Sequence, residues 1–166
     1  MRKEQSFTWN ENCQKAFEEL KQHLISSPIL IYPDFEKPFL LYTDASSFGL
    51  GAVLAQKGID NKEHVVAYAS RRTNSHEQNY CATELECLGV VWAVQHFRPY
   101  LQSNVPFTVI TDHSALKNLF NKPNLSGRLA RWIMTLRDCT FNIEHRKGRL
   151  HSNVDPLSRH FKPDPT

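Results

Sequence analysis

Residues Phe39-Leu40-Leu41-Tyr42-Thr43 form an apolar, partly β-branched run behind Pro38, and the run ends on a carboxylate, Asp44. Five such residues are too few for a helix and favour a buried strand. A carboxylate buried at the end of that strand is costly unless it is neutralised, hydrogen-bonded or bound to a metal. The same residue could instead open a turn with Ser46, Ser47 and Gly49. This stretch alone leaves both readings open, and the other acids of the chain must decide between them.

The chain has 166 residues, enough for one ordinary domain with a short appendage. With 40% hydrophobic and 22% charged residues it has the composition of a globular protein rather than a disordered one. No segment approaches the roughly 18 apolar residues of a membrane span, and Met1-Arg2-Lys3-Glu4-Gln5 lacks the apolar core of a signal peptide. The expectation is an intracellular, cytoplasmic protein with no membrane partner. Cys13, Cys81, Cys87 and Cys139 form no CxxC pair and have no zinc-ligand spacing with histidine, so they read as reduced, packed thiols. The net charge of +3 is unevenly placed. Residues 113–166 carry 10 Lys and Arg against 4 acids, whereas residues 1–112 carry 10 against 13, and a basic half of this kind suits a polyanion.

Ala16, Phe17, Leu20, Leu24 and Ile25 recur at helical spacing within residues 10–27, and Pro28 forbids continuation. Proline-bounded Ile29 to Asp34 reads as an extended connector. Beyond the Asp44 strand, residues 49–56 and 64–69 read as second and third strands in meander order. Ser75, with Gln78 as capping partner, is expected to start a long helix running through Tyr80, Leu85, Leu88, Trp92 and Phe97 until Pro99. Residues 105–111 read as a fourth strand, 114–120 as a short helix, Leu125 to Leu136 as a stronger one, and Phe141 to Glu144 as a fifth strand. A basic loop, residues 145–149, and a terminal helix complete a βββαβααβα order.

A meander followed by helical crossovers implies a mixed α/β sheet, with the first three strands antiparallel, the fourth and fifth parallel to the first, and helices on both faces. In such sheets the site lies at the carboxyl ends of adjacent parallel strands, which places Asp44 beside Asp112. Two anions there repel unless a cation lies between them. Glu86 shares a helical stripe with Ala82, Val90, Ala93 and Phe97, so it also faces inward, whereas Glu84 points about 200° away. Asp155 precedes Pro156 and, taken alone, reads as a helix N-cap. An all-oxygen donor set suits Mg²⁺ or Mn²⁺ and argues against structural zinc.

Five segments, taken together, resemble one family. They are Tyr42-Thr43-Asp44-Ala45-Ser46, Gly49-Leu50-Gly51-Ala52-Val53-Leu54, Asn79-Tyr80 leading to Glu84-Leu85-Glu86-Cys87-Leu88, Thr111-Asp112-His113, and Asn153-Val154-Asp155-Pro156-Leu157-Ser158-Arg159. They resemble the ribonuclease H domain of Gypsy-type long-terminal-repeat retrotransposon reverse transcriptases, in order and over nearly the whole chain. The opening, Phe7-Thr8-Trp9 to Pro28-Ile29-Leu30, is similar to the connector from the polymerase part. Pro156 replaces a small residue usual in the family, and no separate basic helix precedes the Leu125 helix.

The resemblance implies a ribonuclease H-like fold with residues 1–34 as N-terminal helix and connector, 35–160 as catalytic domain and 161–166 as tail. It implies two Mg²⁺ ions, replaceable by Mn²⁺, held by Asp44, Glu86, Asp112 and Asp155, and so overturns the cap reading of Asp155. His145 would assist proton movement, with His151 in the same loop as the other choice. Ser46, Arg128, Arg131, Arg146 and Lys147 are candidate nucleic-acid contacts. The implied activity is hydrolysis of the RNA strand of RNA–DNA hybrids, with an upstream polymerase part and a downstream integrase as partners inside a cytoplasmic virus-like particle. A catalytically silent scaffold or a domesticated nucleic-acid-binding module is the alternative.

Overall fold

The computed structural model describes residues 8–26, 30–102, 105–120, 125, 127–147, 151 and 153–159. The chain divides into two compact units, Met1–Ile31 and Tyr32–Thr166. In the first, helix α1 (Glu11–Ile25) is capped by Asn10, whose side-chain oxygen accepts the Cys13 N–H at 3.0 Å. Its apolar stripe, Phe17, Leu20, Leu24 and Ile25, is exposed. Ser27 and Pro28, expected to end this helix, lie outside the described residues, as do residues 161–166, expected as a tail.

The second unit is built on five strands, β1 (Phe39–Ala45), β2 (Gly49–Lys57), β3 (Glu63–Arg72), β4 (Phe107–Thr111) and β5 (Phe141–His145), arranged in the order β3-β2-β1-β4-β5. The β1–β2 and β2–β3 pairs are antiparallel, whereas β4 runs parallel to β1 and β5 parallel to β4. This is the mixed sheet expected from the element order. A central strand covered on both faces explains why residues 39–43 are apolar without interruption.

Among the described residues, five α-helices accompany the sheet: α2 (Ala82–His96), α3 (Arg98–Leu101), α4 (Ala115–Leu119), α5 (Gly127–Thr135) and α6 (Asp155–Arg159). Phe39 and Leu41 of β1 pack in one core with Leu54, with Cys87, Val90 and Val94 of α2, and with Leu116 and Leu136. Tyr42, Val53, Ala55 and Ile110 form a second core with Val154, against which Leu157 of α6 packs. The period-two alternation of β1 separates these faces, sending odd positions toward α2 and even positions toward α6. Gln56 secures the entry to β1, donating to the Asp34 and Lys37 carbonyls at 2.7 and 3.1 Å and accepting the Asp34 N–H at 2.9 Å. No helix among the described residues is long and apolar enough to cross a membrane.

The long helix differs from expectation at both ends. It starts at Ala82 rather than Ser75, and its capping box is formed by Cys81 and Glu84 rather than by Ser75 and Gln78. The intervening residues are drawn into another arrangement because the Glu77 carboxylate is buried in a two-pronged pair with Arg71, at 2.7 and 2.9 Å, and accepts the Asn74 N–H. Asn74 Oδ1 accepts the His76 and Glu77 N–H groups ahead of a 3-10 turn over Glu77–Asn79. At the far end α2 stops at His96, and Pro99 begins the next helix near its N-terminus, where its missing N–H costs nothing.

Helix α6 lies hard against β2. A Cβ built on Gly51 would stand 2.8 Å from the Leu157 Cβ and 3.0 Å from backbone atoms of Leu157 and Ser158, so only glycine lets this helix approach. Gly51 is also the register partner of Asp44, so the close approach occurs beside the acid. Gly51→Ala is therefore expected to destabilise the domain by roughly 1–3 kcal/mol, the usual cost of an extra methyl in a filled space. Urea denaturation of the variant measures this, and a loss below about 0.5 kcal/mol would mean that α6 is not held at this distance.

Candidate metal centre

Asp44 is the penultimate residue of β1, Asp112 follows β4, and Glu86 sits in the second turn of α2 with its side chain toward the sheet. Asp44 is 2% and Glu86 7% exposed, and Asp112 is half-buried. One carboxylate oxygen from each lies within 4.8 Å of the others. The parallel β1–β4 pairing brings the two aspartates to the same edge, and the helical stripe brings the glutamate onto them.

Glu86 and Asp44 are both held toward their protonated forms. Burial, and then the charges of Asp44 and Asp112, push the Glu86 carboxyl up to about 8, against the pull of the Ala45 N–H and of Arg159. Burial also raises Asp44; the Ser158 hydroxyl opposes that shift, and the charges of Asp112 and Asp155 add to it. Glu86 Oε2 is buried without a hydrogen-bond partner. A buried, unpartnered carboxylate oxygen beside two further carboxylates fits a hard divalent cation in donor type and in charge.

Asp155 stands apart from the three. It lies on α6, its side chain is 46% exposed, and its Oδ1 is 2.6 Å from Arg159 Nε. Its charge nevertheless reaches Asp44. His145 is exposed at the end of β5, where Nε2 donates to the Asp112 carbonyl at 3.0 Å and so carries the proton. His151 is buried, and its Nε2 donates to the Thr43 carbonyl at 2.9 Å.

The basic candidates divide by their partners. Arg128 pairs with Glu84 at 3.0 Å and lies 3.9 Å over the Tyr80 ring, so Glu84 both caps α2 and anchors α5. Arg146 makes a two-pronged pair with Glu63, at 2.8 and 3.2 Å, over the Tyr42 ring. Arg131 and Lys147 are exposed. Ser46 Oγ accepts the N–H groups of Phe48 and Gly49 and donates to the Ser158 carbonyl at 2.6 Å.

Ser158, whose hydroxyl donates to Asp44 Oδ2, was not singled out by sequence reasoning. Its place three residues after Asp155 in the Asn153 to Arg159 motif was the available signal, but the contact joins residues 114 apart in the chain.

Residues 9–109 match the family model described as the RNase H-like domain found in reverse transcriptase. This chain belongs to that family. The domain is 44% identical over 153 residues to the Retrovirus-related Pol polyprotein from transposon 412 of Drosophila melanogaster, a match covering 92% of this chain and 12% of that protein. It therefore spans about an eighth of that relative's length. Its fold resembles the foamy viral protease-reverse transcriptase dRH in complex with double-stranded DNA, with a TM-score of 0.66 at 20% identity, covering 84% of this chain and 27% of the other. It also resembles LC11-RNase H1 in complex with RNA/DNA hybrid, with a TM-score of 0.54 at 11% identity, covering 72% and 92% respectively. The RNase H-like domain thus has the ribonuclease H-like fold implied by its motifs.

The upward shift of Glu86 has a measurable consequence for the RNase H-like domain. Between its ordinary value of 4.5 and about 8, folded Glu86 holds a proton that the unfolded chain has released. Stability contributed by that proton is present below this window and lost as pH rises through it. In EDTA, the wild type should therefore lose stability relative to Glu86→Gln between pH 5 and pH 8.5, measured by urea denaturation at both values. Parallel profiles for the two proteins would show that Glu86 ionises without penalty.

Proposed function

We propose that this domain is the ribonuclease H part of a Gypsy-type long-terminal-repeat retrotransposon reverse transcriptase, and that it hydrolyses the RNA strand of RNA–DNA hybrids. The observation that carries this reading is the convergence of Asp44, Glu86 and Asp112 within 4.8 Å at the carboxyl edge of a ribonuclease H-like sheet. The Pol polyprotein relatives and the order of the sequence motifs support the same element type. Residues 1–34 would join the polymerase side, 35–160 would form the catalytic body and 161–166 a tail, with an integrase downstream and a cytoplasmic virus-like particle as the setting.

Asp44, Glu86 and Asp112 would hold Mg²⁺, or Mn²⁺ in its place, and Asp155 would complete the set from α6. When bound, a pair of such ions supplies neutralisation of the phosphodiester charge and a water acidic enough to attack phosphorus. The residues of the chain supply the rest. Asp44 lies between the acids of α2 and β4 on one side and α6 on the other, so it orients both halves of the site. The Asp112 carbonyl holds the His145 ring by Nε2, which leaves Nδ1 to exchange a proton with solvent or with the leaving 3′-oxygen. Cleavage would leave a 5′-phosphate and a 3′-hydroxyl. Selectivity for RNA would come from contacts to 2′-hydroxyls in the minor groove, with exposed cations such as Arg131 and Lys147 against phosphates.

The test is a cleavage assay offering an RNA–DNA hybrid, double-stranded RNA and double-stranded DNA side by side. The RNA strand of the hybrid is expected to be cut with Mg²⁺ or Mn²⁺ and not with EDTA. Equal cutting of DNA, or no cutting of any duplex, would contradict the reading, and the second result would favour a silent scaffold. Asp44→Asn is expected to remove turnover at every metal concentration.

Glu86 and Glu84 provide an internal comparison, because Glu86 lies in the acidic group and Glu84 serves the helix cap and Arg128. Glu86→Gln is expected to lose more than about 100-fold in turnover, beyond the range of residues that only support a metal ligand, with partial recovery in Mn²⁺. Glu84→Gln should stay within a few-fold of wild type. The reverse ranking would place the site on the other side of α2.

A further inference from the structure

Asp44 and Asp155 are carried by β1 and α6, elements that lie on different levels of the fold and are far apart in sequence. One hydroxyl touches both residues. Ser158 Oγ donates to Asp44 Oδ2 and lies 3.0 Å from the carbonyl oxygen of Asp155. Ser158 is fully buried, so no water competes for that hydroxyl.

The residue is itself held from behind. Its carbonyl accepts the Ser46 hydroxyl at 2.6 Å, and Ser46 Oγ accepts the N–H groups of Phe48 and Gly49 at 3.0 and 3.2 Å. The turn between β1 and β2 is therefore wired through Ser46 to Ser158, and from there to the acid that precedes the turn. The tight contact of Gly51 with Leu157 and Ser158 closes the remaining gap between β2 and α6. An aspartate at a strand end has two rotatable side-chain bonds, and tying one of its oxygens to a buried donor holds the plane of the whole carboxylate.

We propose that Ser158 is a positioning residue of the metal centre, its buried hydroxyl holding the Asp44 carboxylate and tying it to α6 so that Asp44 and Asp155 are presented together. This inference rests on the hydrolase reading above. Ser158 touches neither substrate nor reacting atoms; it acts through Asp44. Ser46 is the brace that sets the position of Ser158. The arrangement also gives the half-buried Asp155 a defined place although its only side-chain partner among the described residues is Arg159.

The experiment compares the full chain as wild type, Ser158→Ala, Ser46→Ala and Leu157→Ala by Mn²⁺ calorimetry, thermal unfolding in EDTA and steady-state cleavage of a hybrid. Ser158→Ala is expected to unfold cooperatively, to bind Mn²⁺ about tenfold or more weakly, and to lose kcat by a similar factor with KM for the hybrid unchanged within about twofold. Leu157→Ala removes apolar packing from the same helix without touching the hydroxyl, and it should lower thermal stability at least as much while keeping Mn²⁺ affinity within about threefold. If affinity in Leu157→Ala falls in step with stability as far as in Ser158→Ala, the role is structural and the proposal is overturned. Unchanged Mn²⁺ binding by Ser158→Ala also overturns it.

Should Ser158→Ala fail to fold, Ser46→Ala decides the matter. Mn²⁺ binding weakened about threefold in a cooperatively folding variant supports the proposal, and unchanged binding overturns it. A wild type that binds Mn²⁺ but cuts no hybrid contradicts the hydrolase reading, and the calorimetric comparison alone then decides on Ser158. A wild type that binds no Mn²⁺ overturns both.

Discussion

The repulsion among three carboxylates at the end of the central strand is the constraint around which this fold is arranged. Bringing Asp44, Glu86 and Asp112 within 4.8 Å opposes stability in the metal-free chain, and burial, followed by the charges of Asp44 and Asp112, holds the Glu86 carboxyl up at about 8. The arrangement persists because each acid is carried by an element whose position is set elsewhere. The first core seats α2 on one face of β1, and the parallel pairing of β1 with β4 places Asp112. Strain of this kind at a point where well-packed elements converge is what functional sites retain.

Much of this arrangement was legible in the sequence because it follows from periodicity. The apolar run at 39–43, the meander signals and the later strands specified a mixed sheet, and the stripe shared by Glu86, Val90 and Ala93 turned one of two neighbouring glutamates inward. What periodicity does not show is which polar groups meet across the fold. Ser75 and Gln78 form a capping pattern as good as that of Cys81 and Glu84. The choice between them is made by Glu77, which is drawn into a buried pair with Arg71 of β3 and pulls residues 75–80 out of the helix. The link from Ser158 to Asp44 is of the same kind, since neither residue carries a local signal for the other.

Charge reads differently in three dimensions than in composition. The basic C-terminal part suggested a surface for a polyanion, yet Arg128, Arg146 and Arg159 each face an acid of the domain, namely Glu84, Glu63 and Asp155. These pairs join α5 to α2, the residue that follows β5 to β3, and the two ends of α6. A substrate phosphate would have to compete with those acids or be met by exposed side chains such as Arg131 and Lys147. With three arginines held by the domain's own acids, fewer cations are free to neutralise phosphates than the sequence balance implies, so the electrostatic part of any nucleic-acid binding, and its salt slope, would be correspondingly smaller.

Whether Asp44, Glu86 and Asp112 form one site for a divalent cation is tested most directly by paramagnetic broadening of backbone amide resonances on addition of substoichiometric Mn²⁺. Broadening is expected to be centred on the resonances of residues around Asp44, Glu86 and Asp112, with those of α6 next. Broadening that spreads evenly over the surface acids, or that centres on exposed pairs such as Asp60 and His64, would contradict it.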